Sequence, residues 1–510
     1  MKKLAAYLNR RLTGAVYVSR RICEAYSTDQ SGMKMLPQMV AVPTSTRDVQ
    51  KLVVFAGSLA GKGIKLGITP RGSGTDKTGA AIGQGIVVSM REEMNKILEI
   101  DTRQKLVRVQ AGVTIRELNN TLALHGMTLP IAADDQTVGG LLAKNFTGPM
   151  SAKYGGLGRY VTNVEVVLAD GTVASTAPVS RRRAEKIASG SGLLAEIYKV
   201  LLNDCEPRTD DETTFGYQVP KREKTISILP MLLGSQGTLG VMTEVIFRTE
   251  YFEELPTMVA VSFETWAEAL EWTEKIVPLQ PSVGDVYDMK LLNLADGMGK
   301  ALKFLELGGQ GVLMVVGFDE EKRHKRMAKA LKAAKLAPES VKKVVSDEQN
   351  YEDFLQLREV MGVFLNETGR HRVAICDDVV IPREQTERFM GALSRLGAQV
   401  GTEMPFFGSL LTRQWSVRPD MNERKRVVFL QHYARLVKMC GGAVCGAVPE
   451  GRTRAGIMNR LVDGAIVAQN KKIKQVFDPN DIMNPGVKDG FPPERIPHFE
   501  TETAVRRVLP

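Results

Sequence analysis

The chain has 510 residues, and its 68 lysines and arginines exceed its 58 aspartates and glutamates, which gives a formal net charge of +10 at pH 7. Hydrophobic residues make up 43% and charged residues 25%, values that exclude a disordered chain and a fibrous repeat. A chain of this length exceeds one ordinary core, so two or three domains are expected.

Charge and cysteine placement exclude several partners and sites. Basic residues are spread among acidic ones, which argues against a nucleic-acid partner. The longest charge-free stretch, 225–243, contains Pro230 and several glycines and predicts no membrane span. The five cysteines never form a C-x-x-C pair, so neither a disulfide framework nor a zinc knuckle is predicted, and a reducing compartment is favoured.

The N-terminus is basic, because the first acidic residue is Glu24 and six lysines and arginines precede it. We predict a basic terminal helix here, with a transit peptide or a helix on a membrane surface as the alternatives. The expected location is the cytoplasm, and peripheral association with the inner face of the membrane is left open.

From about residue 40 to residue 245 the pattern switches between short β-like runs and helical ones, which is typical of an α/β or α+β domain. Ser45 and Asp48 predict a capping box ahead of a helix, and Thr114 and Glu117 predict a second. Strands are predicted at five places along this stretch: Ile64–Ile68, Ile86–Met90, Leu106–Gln110, Asn163–Leu168 and Val241–Phe247.

After Pro256 the predicted helices become longer, which indicates that a second domain starts near this residue. The helical segments are Thr265–Ile276, Glu320–Lys335 and Arg383–Leu396. Two β-like runs interrupt them, Gly311–Gly317 and Val373–Pro382.

A glycine-rich loop, Pro70–Gly79, lies between two predicted strands and contains three glycines, two threonines and a serine. Its backbone N–H groups can converge on an anion without obstruction, so a phosphate-binding loop is predicted. A P-loop is the tempting alternative, but Asp76 precedes Lys77 where a glycine is needed and Arg71 stands at the first glycine position. No G-x-G-x-x-G joins a strand to a helix, so a Rossmann site is not predicted. From this decamer alone, a flexible connection remains the other interpretation.

Further segments occur in a fixed order around this loop. They are Y-S-T-D at 26–29, V-P at 42–43 with D-V at 48–49, T-V-G-G at 137–140, Asn145 with Gly148, Y-G at 154–155, E-V-V-L-A-D-G at 165–171, G-S-Q-G-T-L-G-V-M-T-E at 234–244, F-D-P at 477–479 and I-M-N-P-G at 482–486. Together they resemble the FAD-linked oxidases with a PCMH-type FAD-binding domain, relatives of vanillyl-alcohol oxidase. The branch that the chain resembles most is that of D-lactate, glycolate and D-2-hydroxyglutarate dehydrogenases.

The resemblance implies an α+β fold with a two-subdomain PCMH-type FAD-binding domain and an α+β cap domain that contains an antiparallel sheet. The implied division is an N-terminal helical segment at 1–37, the FAD-binding domain at 38–250, the substrate or cap domain at 251–455 and a segment returning to the flavin at 456–510.

The resemblance also implies FAD as the cofactor. Relatives that attach flavin covalently use a histidine, often in this loop, or a cysteine; the Pro70–Gly79 loop has neither, so non-covalent binding is expected. The cofactor-binding residues implied are Pro70, Arg71, Gly72, Ser73, Gly74, Thr75, Asp76, Gly79, Thr137, Gly139, Gly140, Asn145, Gly240, Val241 and Asn484.

Two cap segments depart from this branch, whose histidines and glutamate there bind a divalent metal or the substrate and supply a base. In 407–419, Ser409 and Ser416 stand where histidines are usual, and in 446–452, Ala447 and Val448 replace the acid and a histidine. Serine is a poor ligand for a divalent cation and valine cannot act as a base. We therefore expect no metal, and the usual hydroxy-acid mechanism is open to question.

Three residues are proposed for catalysis, Arg358 and Tyr217 on the resemblance and Glu450 as a replacement for the lost base, each with a structural alternative. Arg358 matches an arginine that grips the substrate carboxylate, or it forms a surface ion pair. Tyr217 has a counterpart close to the flavin, or it is a core tyrosine. Glu450 replaces the lost base through a raised pKa, or it is a turn glutamate.

The function expected is oxidation of a hydroxy acid, an anionic small molecule, by hydride transfer to flavin N5, with electrons leaving to a quinone or a redox protein. Two alternatives stay open. One is oxidation of an alcohol without a carboxylate, and the other is a degenerate flavin-binding subunit that transfers electrons or scaffolds a partner.

Overall fold

The computed structural model describes residues 1–131, 133, 135–207, 215–220, 224–251, 256–297, 311–345, 357, 376–419 and 423–488. Within these residues the fold is α+β, as the sequence predicts. The strands, in chain order, are β1 (Ala15–Tyr17), β2 (Met39–Val42), β3 (Ile68–Arg71), β4 (Ile86–Ser89), β5 (Ile97–Asp101), β6 (Leu106–Gln110), β7 (Met127–Thr128), β8 (Val161–Val167), β9 (Val173–Ser175), β10 (Val179–Ser180), β11 (Thr225–Ile226), β12 (Val241–Arg248), β13 (Glu250–Tyr251), β14 (Thr257–Phe263), β15 (Val283–Asp288), β16 (Val312–Phe318), β17 (Val341–Val345), β18 (Cys376–Val380), β19 (Phe406–Ser409) and β20 (Gln414–Val417).

The helices cover these strands and connect them. In chain order they are α1 (Lys2–Asn9), α2 (Arg20–Ala25), α3 (Thr46–Ala60), α4 (Ile115–Ala123), α5 (Val138–Ala143), α6 (Ser151–Tyr154), α7 (Arg181–Ala188), α8 (Leu193–Asn203), α9 (Leu229–Leu232), α10 (Trp266–Ile276), α11 (Met289–Gly297), α12 (Arg323–Lys335), α13 (Thr386–Val400), α14 (Glu423–Met439), α15 (Gly451–Leu461) and α16 (Gly464–Phe477). Among the helices described, none is both long and apolar enough to cross a membrane.

Three sheets organise the described chain. The first has the order β1-β2-β4-β3 and is parallel except for β1, and the second, β5-β6-β12-β8-β9, is antiparallel. The third has the order β17-β14-β16-β15-β19-β20-β18. It is an antiparallel sheet of seven strands, all of which lie between residues 257 and 417. Short ribbons pair β10 with β11 and β7 with β13.

The seven-stranded sheet buries both of its faces, and alternate residues of β14 show this. Val259 and Val261 belong to a core formed with the helices α10, α12, α13 and α14, in which Trp272 Nε1 donates to the Ala333 carbonyl at 3.1 Å. Met258 and Ala260 belong to a second core, on the opposite face, against which Met150 of the first half of the chain packs. This second face therefore lies towards the part of the chain that carries the glycine-rich loop.

Two local predictions differ from the structure. The strand expected at Ile64–Ile68 begins only at Ile68, because its pairing partners, Ile86 and the bridge to Met483, lie beside 68–71. The Ser45 side chain caps α3 as expected, but the Asp48 carboxylate accepts from the backbone N–H groups of Thr13 (3.0 Å) and Gly14 (2.8 Å). The capping box is thus only half formed there. The box at Thr114 and Glu117 is complete and confirmed.

Candidate active site

The glycine-rich loop lies against other backbone and side-chain atoms too closely for larger residues. A Cβ at Gly72 would lie 2.0 Å from Thr137 Oγ1, and a Cβ at Gly74 would lie 2.3 Å from Arg71 Nη2. Gly74 also has φ +72°, a conformation that side chains disfavour. Glycine is needed at both positions because the loop packs directly against the Thr137 side chain and the Arg71 guanidinium.

Arg71 supplies positive charge beneath this loop. Its side chain is 2% exposed, and Nη1 donates to the carbonyls of Thr28 (2.8 Å) and Ala81 (3.1 Å), whereas Nη2 is buried without a hydrogen-bond partner. Burial lowers the pKa of Arg71, and Asp29 opposes the fall. A guanidinium keeps its charge under such conditions, so the loop has a cationic support suited to a bound anion.

A cleft with about 780 Å³ of space, counted out to its mouth, opens above the loop. Eleven of the fifteen residues predicted to bind cofactor line it: Pro70, Arg71, Gly72, Ser73, Gly74, Thr75, Asp76, Thr137, Gly139, Gly140 and Gly240. The residues that sequence reasoning missed are Ala80, Ala81, Met90, Ala111, Gln136, Ala143, Lys144, Gln236, Gly237 and Met242. Of these, Gln236 and Gly237 lie in the G-S-Q-G segment at 234–237. That segment carried part of the family resemblance, so these two residues could have been predicted from the sequence. The glycine-lined, cationic wall of this cleft fits a dinucleotide's pyrophosphate.

An adjoining part of the wall comes from α5. The Thr137 side chain caps this helix by accepting from the Gly140 N–H at 3.3 Å. A Cβ at Gly139 would lie 2.8 Å from the Ala111 side chain, so the T-V-G-G segment is selected for close packing of the helix on the strand end. The cap and the glycine together fix the position of Thr137 against Gly72.

The four remaining predicted cofactor residues lie outside the lining. Asn484 lies behind the loop, where its Nδ2 donates to the carbonyls of Ala80 (2.8 Å) and Gln236 (2.7 Å). Gly79 is the last residue of the loop, and its carbonyl accepts from Arg452 Nη1. Val241 is a fully buried core residue, and Asn145 follows the end of α5 with φ +51°.

Tyr217 and Glu450 are brought together in a separate cavity of about 290 Å³. Tyr217 Oη and Thr238 Oγ1 lie 2.8 Å apart. Glu450 is 1% exposed, and its Oε1 accepts from the Gly216 N–H at 3.1 Å and from Lys488 Nζ at 3.2 Å. Neither residue lines the large cleft. Arg358 lies outside the described residues.

The two altered cap segments converge on one residue, Asp378. Its Oδ2 accepts from the N–H groups of Ala447 (2.9 Å) and Val448 (2.5 Å), and its N–H donates to Ser416 Oγ at 3.3 Å. Its Oδ1 is 3.1 Å from Arg454 Nη1, in an ion pair with side chains 8% and 3% exposed. Burial raises the pKa of Asp378, and Arg454 opposes the rise. In the described part of the chain, no three His, Cys, Asp or Glu side chains are grouped as metal ligands would be.

Two lysines of this region, Lys144 and Lys77, have lowered pKa values. Lys144 lines the cleft, donates to Gln136 Oε1 at 2.6 Å and lies 4.7 Å from the centre of the Phe146 ring. Burial, followed by the charge of Lys77, lowers the pKa of Lys144 to about 8. Burial, followed by the charge of Arg418, lowers the pKa of Lys77 to about 7. Sequence reasoning noticed Lys77 only as part of a P-loop look-alike.

Comparison with known proteins matches both halves of the chain to families of FAD-linked proteins. Residues 37–177 match the family described as FAD binding domain, and residues 254–487 match the family described as FAD linked oxidases, C-terminal domain. The D-2-hydroxyglutarate dehydrogenase of Pantoea ananatis is 26% identical over 499 residues, which cover 90% of this chain and 48% of that protein. The chain therefore spans about half the length of this relative.

Other relatives match over nearly their whole length. The D-lactate dehydrogenase of Archaeoglobus fulgidus is 23% identical, with 91% of this chain and 95% of that protein covered. Among solved structures, the 4-ethylphenol oxidase of Gulosibacter chungangensis superposes with a TM-score of 0.68 at 16% identity, covering 97% of this chain and 98% of that chain. The structural likeness shows a shared fold.

Proposed function

The chain belongs to the FAD-linked oxidases with a PCMH-type FAD-binding domain, and from this premise we propose that it oxidises a hydroxy acid with FAD bound in the cleft. The observation that carries the proposal is the glycine-lined cleft itself, with Arg71 buried beneath its loop and Lys144 on its wall. D-lactate and D-2-hydroxyglutarate are the substrates that the names of its relatives indicate.

The loop residues 70–76 hold the pyrophosphate of FAD. The N–H groups of residues 71–76 are unobstructed because Gly72 and Gly74 lack side chains, and Arg71 offers charge and an unused donor below them. When bound, the flavin ring accepts a hydride and so stores two electrons. Because the loop contains neither histidine nor cysteine, the FAD is held without a covalent bond.

In this proposal the cap supplies the substrate side of the site. Arg418 is fully buried within the altered segment 407–419, and Lys144 lines the cleft; these two cations attract and orient a carboxylate. Arg358 is the further carboxylate-binding residue that we propose from the family resemblance. Asp378, which forms an ion pair with Arg454, contacts both altered segments, and in this proposal no metal is needed to join them.

In this proposal residues 38–250 bind FAD, residues 251–455 form the cap, and the segment from 456 returns to the flavin side. Electrons then leave to a quinone or a redox protein. A second function, a flavin-binding subunit without its own substrate, is favoured by one observation. The Asp378–Arg454 ion pair stands where the branch's usual metal and base segments meet.

Anaerobic spectra separate these two functions. Purified yellow protein is mixed with D-lactate, glycolate and D-2-hydroxyglutarate in turn, and bleaching of the flavin band by at least one of them is expected. Dithionite serves as the control that the bound flavin is reducible. Bleaching by dithionite but by no hydroxy acid would overturn the proposed oxidation and support the electron-transfer subunit.

Two companion measurements test the cofactor chemistry. Acid precipitation should release all of the FAD into the supernatant, and a yellow pellet would contradict non-covalent binding. Metal analysis of the active protein should find no stoichiometric ion, and stoichiometric zinc or manganese would contradict our interpretation of Ser409, Ser416 and Val448.

A further inference from the structure

The helix α1 packs on the protein through one side and leaves its other side in solvent. Ala5 and Leu8 on the inner side are buried, and they share a core with Leu52 of α3. The exposed residues on the outer side and directly after the helix include Lys2, Lys3, Tyr7, Arg10 and Arg11. Because four of these five carry a positive charge, the outer side of α1 is cationic.

The neighbouring helix α3 is amphipathic in the same way. Val49 and Ala56 on its inner side are buried in the core that it shares with α1. Its outer residues recur at intervals of three or four positions, which places them on one face. They are Arg47, Lys51, Val54 and Ser58.

Three contacts join the outer sides of the two helices into one surface. The rings of Tyr7 and Phe55 stack with their centroids 5.7 Å apart and 28° between their planes. The Arg11 guanidinium lies 3.9 Å from the centre of the Tyr7 ring. Lys51 Nζ donates to the Arg11 carbonyl at 2.5 Å. Cations from both helical segments therefore lie beside the Tyr7–Phe55 pair.

We call this region the basic surface. It consists of Lys2, Lys3, Tyr7, Arg10, Arg11, Arg47, Lys51, Val54 and Phe55. None of these residues lines the large cleft.

Acidic residues of the first 75 positions do not offset the charges of the basic surface. They are only Glu24, Asp29 and Asp48. Asp48 is 1% exposed and accepts from two backbone N–H groups. Glu24 forms an ion pair with Arg20 on α2, and Asp29 also accepts from two backbone N–H groups. The six cations of the basic surface are therefore not neutralised by acids of their own part of the chain.

Apolar groups are exposed between these cations. Tyr7 is 38% exposed and Val54 is 47% exposed, although both are large hydrophobic residues. A helical face that interleaves basic residues with exposed aromatic and aliphatic ones suits a bilayer surface. The apolar side chains enter the headgroup region, where tyrosine is favoured, and the cations are attracted to anionic lipids.

We propose that the basic surface binds a membrane whose outer layer of headgroups contains anionic lipids. Clusters of about four to eight lysines and arginines beside an amphipathic helix are of the size that such membranes attract. A nucleic acid fits the surface less well, because the Tyr7 ring already contacts Arg11 and Phe55 and so is not free to stack on a base. The surface lies outside the cleft, and the proposal does not depend on the proposed oxidation.

The first test sediments purified wild-type protein with vesicles. Vesicles of phosphatidylcholine mixed with phosphatidylserine should pellet the protein, and vesicles of phosphatidylcholine alone should not. Binding should weaken as salt is raised, because the screening length falls from about 10 Å at 0.1 M to about 3 Å at 1 M. Equal binding to the two kinds of vesicle would overturn the proposal, and so would binding to a mixed-sequence RNA without binding to the anionic vesicles.

Matched variants locate the binding surface. Lys3→Glu/Arg10→Glu changes the α1 side and Arg47→Glu/Lys51→Glu changes the α3 side. Each should weaken partitioning onto anionic vesicles at least about 30-fold, since each basic residue near such a surface contributes about 1 kcal/mol and 1.4 kcal/mol is a factor of ten.

The control for these variants is Arg182→Glu/Arg183→Glu on the exposed start of α7. It alters the net charge by the same amount and should bind vesicles like the wild type. A loss of the same size in the control would overturn the proposal, because net charge alone would then explain binding. A loss in only one of the two surface variants would overturn a surface shared by α1 and α3.

A footprint on the wild-type protein needs no variant to fold. The protein is labelled with acetic anhydride, with and without anionic vesicles, and its lysines are compared by mass spectrometry. Labelling of Lys3 and Lys51 should fall when vesicles are present, whereas Lys186, exposed on α7, should be labelled equally in both samples. Vesicle-bound protein in which Lys3 and Lys51 are labelled as fast as in the free protein would overturn the proposal.

Discussion

Gly74 and Gly63 form a matched pair for testing the cofactor loop. Both have positive φ, +72° and +77° respectively, but a Cβ at Gly74 would lie 2.3 Å from Arg71 Nη2, whereas a Cβ at Gly63 would meet nothing within 4 Å. Gly63 also lies on an exposed loop, away from the cleft. Substituting each by alanine therefore introduces the same backbone strain, and only Gly74→Ala disturbs the support of the loop.

The magnitudes follow from these contacts. Alanine in a left-handed conformation costs about 1 kcal/mol in each protein. Gly74→Ala must also displace the Arg71 guanidinium, which donates to the carbonyls of Thr28 and Ala81. Losing one such charge-assisted hydrogen bond costs about 2 kcal/mol. If that loss falls on the FAD-bound state, affinity for FAD drops about 30-fold, since 1.4 kcal/mol corresponds to a factor of ten.

The assay titrates apoprotein with FAD and follows quenching of flavin fluorescence, and urea unfolding of the apoproteins is measured in parallel. Gly63→Ala should lower the free energy of unfolding by about 1 kcal/mol and leave the FAD dissociation constant unchanged. Equal FAD affinity for Gly74→Ala and wild type would refute the reasoning, and so would an equal loss of affinity in both variants.

Three further predictions concern stability. Arg454→Leu leaves the buried Asp378 carboxylate without its ion pair and should cost about 3–5 kcal/mol in urea unfolding, whereas adding Asp378→Asn should recover most of this loss. Burial, followed by the charge of Asp76, raises the pKa of Asp29 to about 7. The folded protein then keeps a proton that the unfolded chain loses near pH 4, so stability falls as pH rises through this window, and Asp29→Asn should remove the slope from urea midpoints measured at successive pH values. Thr265→Ala removes the cap of α10 and should cost about 1 kcal/mol in unfolding without changing FAD affinity; a larger loss would contradict a purely local role.

Local signals in the sequence predicted local structure well. The Thr114–Glu117 capping box and the strand Leu106–Gln110 are observed as predicted, because both depend on side chains within a few residues of one another. The Ile64–Ile68 strand was misplaced because its register is set by pairing with β4 and with Met483. Pairing across such distances leaves no trace in the local pattern.

The residues of the candidate site also differ in whether the sequence alone could reveal them. The glycines of the loop could be found from the sequence because unobstructed backbone is a local property. Lys77 and Lys144 could not be singled out, because their lowered pKa values arise from burial and from charges such as Arg418 that fold in from far along the chain. The resemblance brought Asn484 to notice, but only the structure places it behind the loop, as a support.

The position of Asn484 behind the loop has a consequence for how the protein folds during its synthesis. Asn484 donates to the Ala80 carbonyl across 404 positions of sequence, and Ile68 donates to the Ile482 carbonyl. At a synthesis rate of about 5–20 residues per second, Asn484 is added to the chain roughly 20–80 seconds after Ala80. The loop is therefore synthesised well before the residues that support it from behind. We therefore expect flavin capture to be a late, post-translational event. A nascent chain arrested before residue 484 should complete its first strands yet remain colourless.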